Sequence, residues 1–162
     1  MAFDAFLKIE GVDGESTRKG FEKQTEIFSY SFGASNPSTV GSGGGGGGGG
    51  KVSVSSFNIM KKTDSASPLL FLACCQGDHY AKASVTLNKS AGKAPIDFVK
   101  YEFEEVYVDS IQWSGASGGD DSPMESVSFS FGKVSITYTP QKADGSKGSP
   151  AVGAWDLTLV SA

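Results

Sequence analysis

Along most of the chain apolar and polar residues alternate with period two, which is the pattern of strands with one buried face. Phe3, Ala5, Leu7 and Ile9 give the first such run. Phe28, Tyr30 and Phe32 give the second, with Ser29, Ser31 and Gly33 on the opposite side. Ala81, Ala83, Val85 and Leu87 define a third, and Trp155, Leu157 and Leu159 a last one. The stretch from Ile96 to Trp113 is long for one strand, and a bend is expected near Glu104-Glu105.

Two runs change phase midway. Val127, Phe129 and Phe131 share a face, whereas Val134, Ile136 and Tyr138 have the other parity. The switch falls at Gly132-Lys133, where a glycine can host a bulge. Val52 and Val54 likewise give way to Phe57 and Ile59. One inserted residue per strand bends a sheet, and bent sheets close into barrels. One segment departs from the alternation. Ser67-Pro68 reads as an N-cap with proline at N1, Leu69 to Gln76 as a helix, and Gly77 as its stop. Leu69, Leu72 and Ala73 are its expected inward residues. The pattern therefore predicts an all-β fold with one short helix, a β-barrel or two-sheet sandwich, formed as one domain over residues 1–162.

Three polar or glycine-rich loops interrupt these elements: Ser35 to Gly50, Ser114 to Pro123, and Gln141 to Pro150. The first ends in Gly43, Gly44, Gly45, Gly46, Gly47, Gly48, Gly49 and Gly50, followed by Lys51. The run superficially matches a phosphate-binding loop, but Val52 stands where that motif needs Ser or Thr for Mg²⁺. The sequence after it reads as a strand, so no helix N-terminus meets a phosphate. Two uses of the glycines stay open: a flexible linker, or a loop that orders when it docks on another subunit.

Composition adds a core-forming supply of 11 Phe, 5 Tyr and 2 Trp in 162 residues. The 14 basic and 18 acidic residues give a formal charge of -4, the wrong sign for a phosphate-tracking surface, so no nucleic-acid partner is expected. Asp4 and Lys8 interrupt any apolar region at the start, so no signal peptide is expected, and no apolar run is long enough to span a bilayer. The one histidine, His79, has no spaced ligands or nucleophile around it. Adjacent Cys74 and Cys75 have no second pair and read as small core or semi-buried residues. Glu104 and Glu105 point to opposite faces of a regular strand, and Asp120 and Asp121 read as solvated loop charges. No catalytic, metal or cofactor constellation assembles, which points away from an enzyme.

Taken in order, several motifs resemble one known family. They are Phe6-Leu7-Lys8-Ile9 with Gly11 and Gly14-Glu15-Ser16, the glycine run into Lys51-Val52, and Leu72-Ala73-Cys74-Cys75-Gln76-Gly77-Asp78-His79-Tyr80. Gly118-Gly119-Asp120-Asp121 and Tyr138-Thr139-Pro140-Gln141-Lys142-Ala143-Asp144-Gly145 complete a colinear set that covers essentially the whole chain. The set is similar to the haemolysin-coregulated protein (Hcp) family of type VI secretion. The resemblance implies a β-barrel with one flanking helix, assembled into hexameric rings that stack into a tube. A contractile machine propels that tube, tipped by a spike protein and surrounded by a sheath, and effector proteins ride protected in its lumen. It also implies assembly in the cytoplasm followed by export by the machine itself.

On that footing the ring-stacking element is expected in the glycine run with Lys51, and a second one at Gln141, Lys142, Asp144 and Gly145. The lumen is expected on the small polar face of Ser29 and Ser31. The competing expectation is a monomeric extracellular β-sandwich that binds carbohydrate or protein through exposed Tyr107 and Trp113.

Overall fold

The computed structural model of the chain describes residues 2–37, 50–91, 94–119 and 121–162. In chain order the elements are β1 (Asp4–Ile9), β2 (Thr25–Ser31), β3 (Ala34–Ser35), β4 (Ser53–Val54), β5 (Phe57–Lys62), α1 (Ser67–Gln76), β6 (His79–Ala91), β7 (Ala94–Ser114), β8 (Met124–Tyr138) and β9 (Ala151–Asp156). The main sheet runs β5-β2-β1-β6-β7-β8-β9, and an added β5–β8 pairing closes six of these strands into a barrel. The first half of β8 seals the barrel against β5, Phe57 opposite Phe129 and Lys62 opposite Met124. Its second half instead carries β9, from Lys133 opposite Asp156 to Tyr138 opposite Ala151. The two-residue strands β3 and β4 form a separate ribbon.

The core is filled by the inward phases of these strands: Ala5, Leu7 and Ile9, Phe57 and Ile59, Ala83, Val85 and Leu87, Phe103, Val106 and Val108, and Val127, Phe129, Phe131 and Val134. Tyr30, Phe32, Phe57, Tyr101, Phe103 and Phe131 form its aromatic centre, with ring centroids 4.8 to 5.9 Å apart. Burial and the Tyr30 hydroxyl, 3.3 Å away, push the Tyr101 phenol well above its ordinary value.

Several sequence expectations need correction. The phase switch in β8 is real, since Phe131 and Val134 are both buried, but it is not a bulge. β7 changes phase at the same place, between Phe103 and Val106, so Phe103 stays opposite Val134 and Val106 opposite Phe131. Glu105 takes a positive φ of 54° there and faces Gly132, whose missing side chain leaves room for it. β6 joins the same line, with Tyr80 and Ala83 inward and Ala81 and Lys82 exposed between them. The kink therefore crosses three strands at constant register, and Glu104-Glu105 is not regular strand. Bulges do occur, at Ile27/Ser29, Leu87/Asn88 and Val108/Ser110. The first splits the expected Phe28-Tyr30-Phe32 face: Tyr30 and Phe32 pack inward, while Phe28 is exposed under the Lys62 ammonium. Val52 to Ile59 is not one strand; β4 leaves the barrel to pair with β3.

Phe3 and Leu159 are exposed, contrary to their assigned phase. Phe6 is instead buried on the outer face, stacked at 4.3 Å on Phe21 with the Arg18 guanidinium above it. That guanidinium also bonds Asp4 and Asn88. In α1 the inward residues are Leu70 and Ala73, with Leu69 and Leu72 exposed. The N-cap is Ala66, because the Ser67 hydroxyl is used inside the protein, whereas Gly77 ends the helix at φ 69° as expected. Cys74 is half-buried against the core, but Cys75 is exposed.

Candidate assembly surfaces

The outer face of the barrel around β2, β5, β8 and β7 is built mainly from small polar side chains, with Met60 and exposed Phe28 as apolar exceptions. Register places Ser31, Asn58, Ser128 and Ser110 in one row across these four strands, and Ser29, Met60, Ser126 and Gln112 in the next. The bulge in β7 inserts Asp109 between Val108, opposite Phe129, and Ser110, opposite Ser128. Asp109 accepts hydrogen bonds from the Ser56 hydroxyl at 2.9 Å and the Ser130 hydroxyl at 2.7 Å. Asn58 donates weakly to Ser31 at 3.4 Å and accepts from the Ser128 hydroxyl. The side chains thus tie four strands together while presenting hydroxyl and amide groups outward, a surface with little apolar area for a partner to grip.

A second surface is the free edge of β9. The barrel strands have a neighbour on either side through closure, but among the described residues β9 pairs on one side with β8 and on the other only at Asp156, which bridges to Ser161. Its residues Ala151 to Trp155 carry no charge, and Val152 is 65% exposed. An uncharged edge with open N–H and C=O groups is a template for pairing with another chain.

The connection between β8 and β9 is an ordered hairpin. Gln141 bridges to Lys147, the Lys142 N–H donates to Ser146 O at 2.8 Å, and Gly145 N–H to Lys142 O at 2.9 Å. Asp144 accepts from the Ser146 hydroxyl and N–H, which hold its carboxyl below the ordinary value. Gln141, Lys142, Asp144 and Gly145 are therefore brought together on one projecting turn. Of the glycine run, Gly43 to Gly49 lie outside the described residues, as does Asp120. Gly50 donates its N–H to Pro37 O at 2.9 Å, and Lys51 beside it is exposed. Ser29 and Ser31 are exposed, on the outer side of the barrel wall.

Sequence reasoning missed one polar cluster. Lys61 and Glu125 are fully buried at the β5–β8 seam, with Lys61 Nζ 3.0 Å from Glu125 Oε1. The signal was present: Lys61 continues the inward phase of Phe57 and Ile59, and Glu125 that of Val127 and Phe129. A charge on the apolar phase of each of two strands is a pair waiting to be matched. The Asp109 position had no such signal, because a bulge creates it. Tyr107 and Trp113 are exposed, but the same bulge turns them apart: Tyr107 sits opposite outward Ser130, and Trp113 opposite buried Glu125. They pack separately, on His79 and on Phe71. Among the described residues no group of three or more His, Cys, Asp or Glu side chains is arranged to hold a metal ion. No helix there is long and apolar enough to cross a membrane.

Residues 6–138 match the family model described as type VI secretion system effector, Hcp. The chain is 38% identical to Protein hcp1 of Pseudomonas aeruginosa over 158 residues, which is 97% of this chain and 96% of that protein. Its structure superposes on that of a type six secretion system protein with a TM-score of 0.92 at 35% identity, covering 98% of both chains. It also superposes on Hcp1 from Salmonella typhimurium with a TM-score of 0.78 at 28% identity, covering 99% of this chain and 98% of that one. The closed all-β architecture is thus that of a known lineage: the chain belongs to the Hcp family, the structural tube proteins of type VI secretion.

Proposed function

We propose that copies of this chain close head to tail into six-membered rings, that the rings stack into a tube, and that its work is mechanical rather than catalytic. The observation that carries the reading is the uncharged free edge of β9 on an otherwise closed barrel. A ring needs a heterologous contact, in which one patch meets a different patch on the next copy. An open edge of this kind supplies one half of such a contact. The Ser29 and Ser31 face then lines the lumen, where hydroxyl and amide groups pass varied effectors without adhering to them. The segment from Ser35 to Lys51 reaches the next ring, with the Gln141–Lys147 turn as the second contact. Spike and sheath proteins are the partners outside the ring. The chain is assembled in the cytoplasm and leaves with the machine.

Mass measurement in solution tests the ring: a six-copy species supports it, and a single copy at high concentration overturns it. Deleting Gly43 to Gly50 is expected to leave rings intact and to impair tube growth; unchanged stacking by electron microscopy would remove that loop from the contact. The competing reading as a monomeric binding module loses its platform, since Tyr107 and Trp113 belong to opposite faces of β7.

A further inference from the structure

Across the two rows of the small polar face, from Ser31 to Ser110 and from Ser29 to Gln112, every residue is neutral. Asp109 is the one charge that the fold inserts into this lattice, and it does so by spending a bulge on it. The bulge leaves both carboxylate oxygens satisfied by hydroxyls, Ser56 on one and Ser130 on the other, so the group is fixed in place rather than free to swing. At the border of the face Glu26 lies one register step from the Ile27–Lys61 pair, and Lys62 holds its ammonium over the exposed Phe28 ring.

We infer that Asp109 sets the chemical class of cargo, selecting polypeptide segments rich in lysine and arginine. The inference rests on the reading of this face as the lumen. Closure repeats Asp109 once per copy at a single level of the channel, forming a ring of carboxylates. Like charges arranged around a low-dielectric wall sum to a negative potential that concentrates cations and repels anions. The hydroxyl and amide groups around each carboxylate add no compensating charge. A cationic segment therefore gains at this level, a neutral one passes, and an acidic one is turned away.

The test uses purified rings, verified by mass, with fluorescein-labelled oligolysine and oligoglutamate of equal length as probes, read by anisotropy at low and moderate salt. The wild-type ring is expected to bind oligolysine in preference, and the preference to weaken with salt. Asp109→Asn is expected to lower oligolysine affinity by about tenfold at low salt, while Asp144→Asn, the same charge change on the projecting turn, has a much smaller effect. Ser110→Lys places a cation on the neighbouring row without touching the Asp109 hydrogen bonds, and is expected to abolish the preference even if Asp109→Asn fails to fold. Ser31→Trp separates this inference from the reading beneath it. If Ser31→Trp blocks the probe but Asp109→Asn and Ser110→Lys do not alter it, the charge selection is wrong and the lumen assignment stands. If Ser31→Trp also leaves binding unchanged, or no ring forms, both are overturned.

Discussion

Lys61 and Glu125 face each other across the β5–β8 seam with no solvent exposure, ammonium and carboxylate 3.0 Å apart. The three N–H bonds of the ammonium go elsewhere: to Lys62 O at 3.0 Å, Asp64 Oδ1 at 2.9 Å and Ser67 Oγ at 2.9 Å. Glu125 Oε1 is consequently held by charge without a hydrogen bond, while Oε2 takes the Ser67 hydroxyl. Ser67 begins α1, so one buried cluster joins the strand that closes the barrel, the strand it closes against, and the only helix among the described residues.

Removing Lys61 leaves the buried Glu125 carboxylate uncompensated, whereas removing Glu125 leaves the Lys61 ammonium with Asp64 as its remaining counter-charge. Lys61→Met is expected to lower stability by about 3–5 kcal/mol, and Glu125→Leu by less because Asp64 still pairs the ammonium, both measured by chemical denaturation. The double variant is expected to recover part of the Lys61→Met loss, since an apolar side chain replaces the stranded Glu125 carboxylate while Asp64 still lacks its cation. Singles that cost less than about 1 kcal/mol would show that the cluster does not hold the seam.

Two glycines separate close approach from backbone conformation. A Cβ on Gly14 would stand 2.5 Å from Gln24 O and from Thr25 Oγ1, and its N–H is already tied to Lys23 O at 2.7 Å. Gly77 has φ 69° but open space around it. Gly14→Ala is therefore expected to cost about 2–3 kcal/mol through overpacking, and Gly77→Ala only about 1 kcal/mol through the left-handed conformation. Thermal unfolding of the two variants checks the order.

The strands and the helix were legible because alternation and the Ser-Pro to Gly punctuation are local signals. Closure of the barrel was foreseen for a partly mistaken reason. Gly132 looked like a bulge because one strand alone shows only its own change of phase. The simultaneous change at Phe103/Val106 reveals a kink that preserves register, and that requires knowing which strands pair. Helical spacing points to Leu69 and Leu72 as inward, but a ten-residue helix that is apolar all round does not declare its buried face. Lys61 and Glu125 are readable as charges on apolar phases. Asp109 was not readable, since its orientation depends on a one-residue insertion relative to β8.

The turn after β9 is expected to respond to acid. Asp156 accepts from the Thr158 hydroxyl, Thr158 N–H at 2.8 Å and Leu159 N–H at 3.1 Å. The Thr158 hydroxyl foremost, with these amides and the Lys133 charge, lowers its carboxyl below the ordinary 3.8. A carboxyl depressed in the folded protein stabilises it fully above that ordinary value, and the contribution fades as pH falls through the lower folded value. Hydrogen exchange at Thr158 and Leu159 is expected to lose protection over that acidic interval, beyond the change in intrinsic rate. Asp156→Asn should show the weaker protection already at neutral pH. Equal protection in the variant would exclude the carboxylate as the cap.

The β9 edge gives the sharpest test of assembly, because it separates folding from association. Val152 lies opposite Thr137 and is 65% exposed, so its side chain contributes little to the core. Val152→Lys is expected to change the unfolding midpoint little, as exposed substitutions usually stay within about 0.5 kcal/mol. Natural sheets use a lysine on an edge strand to block pairing with a second chain, because docking would strip water from the ammonium. If β9 is the ring contact, the variant shifts from a six-copy to a one-copy mass while its circular dichroism stays that of the folded barrel. The charge-neutral Val152→Thr, which keeps the β-branched shape, should still form rings. Rings from Val152→Lys with undiminished stability would place the contact on another surface.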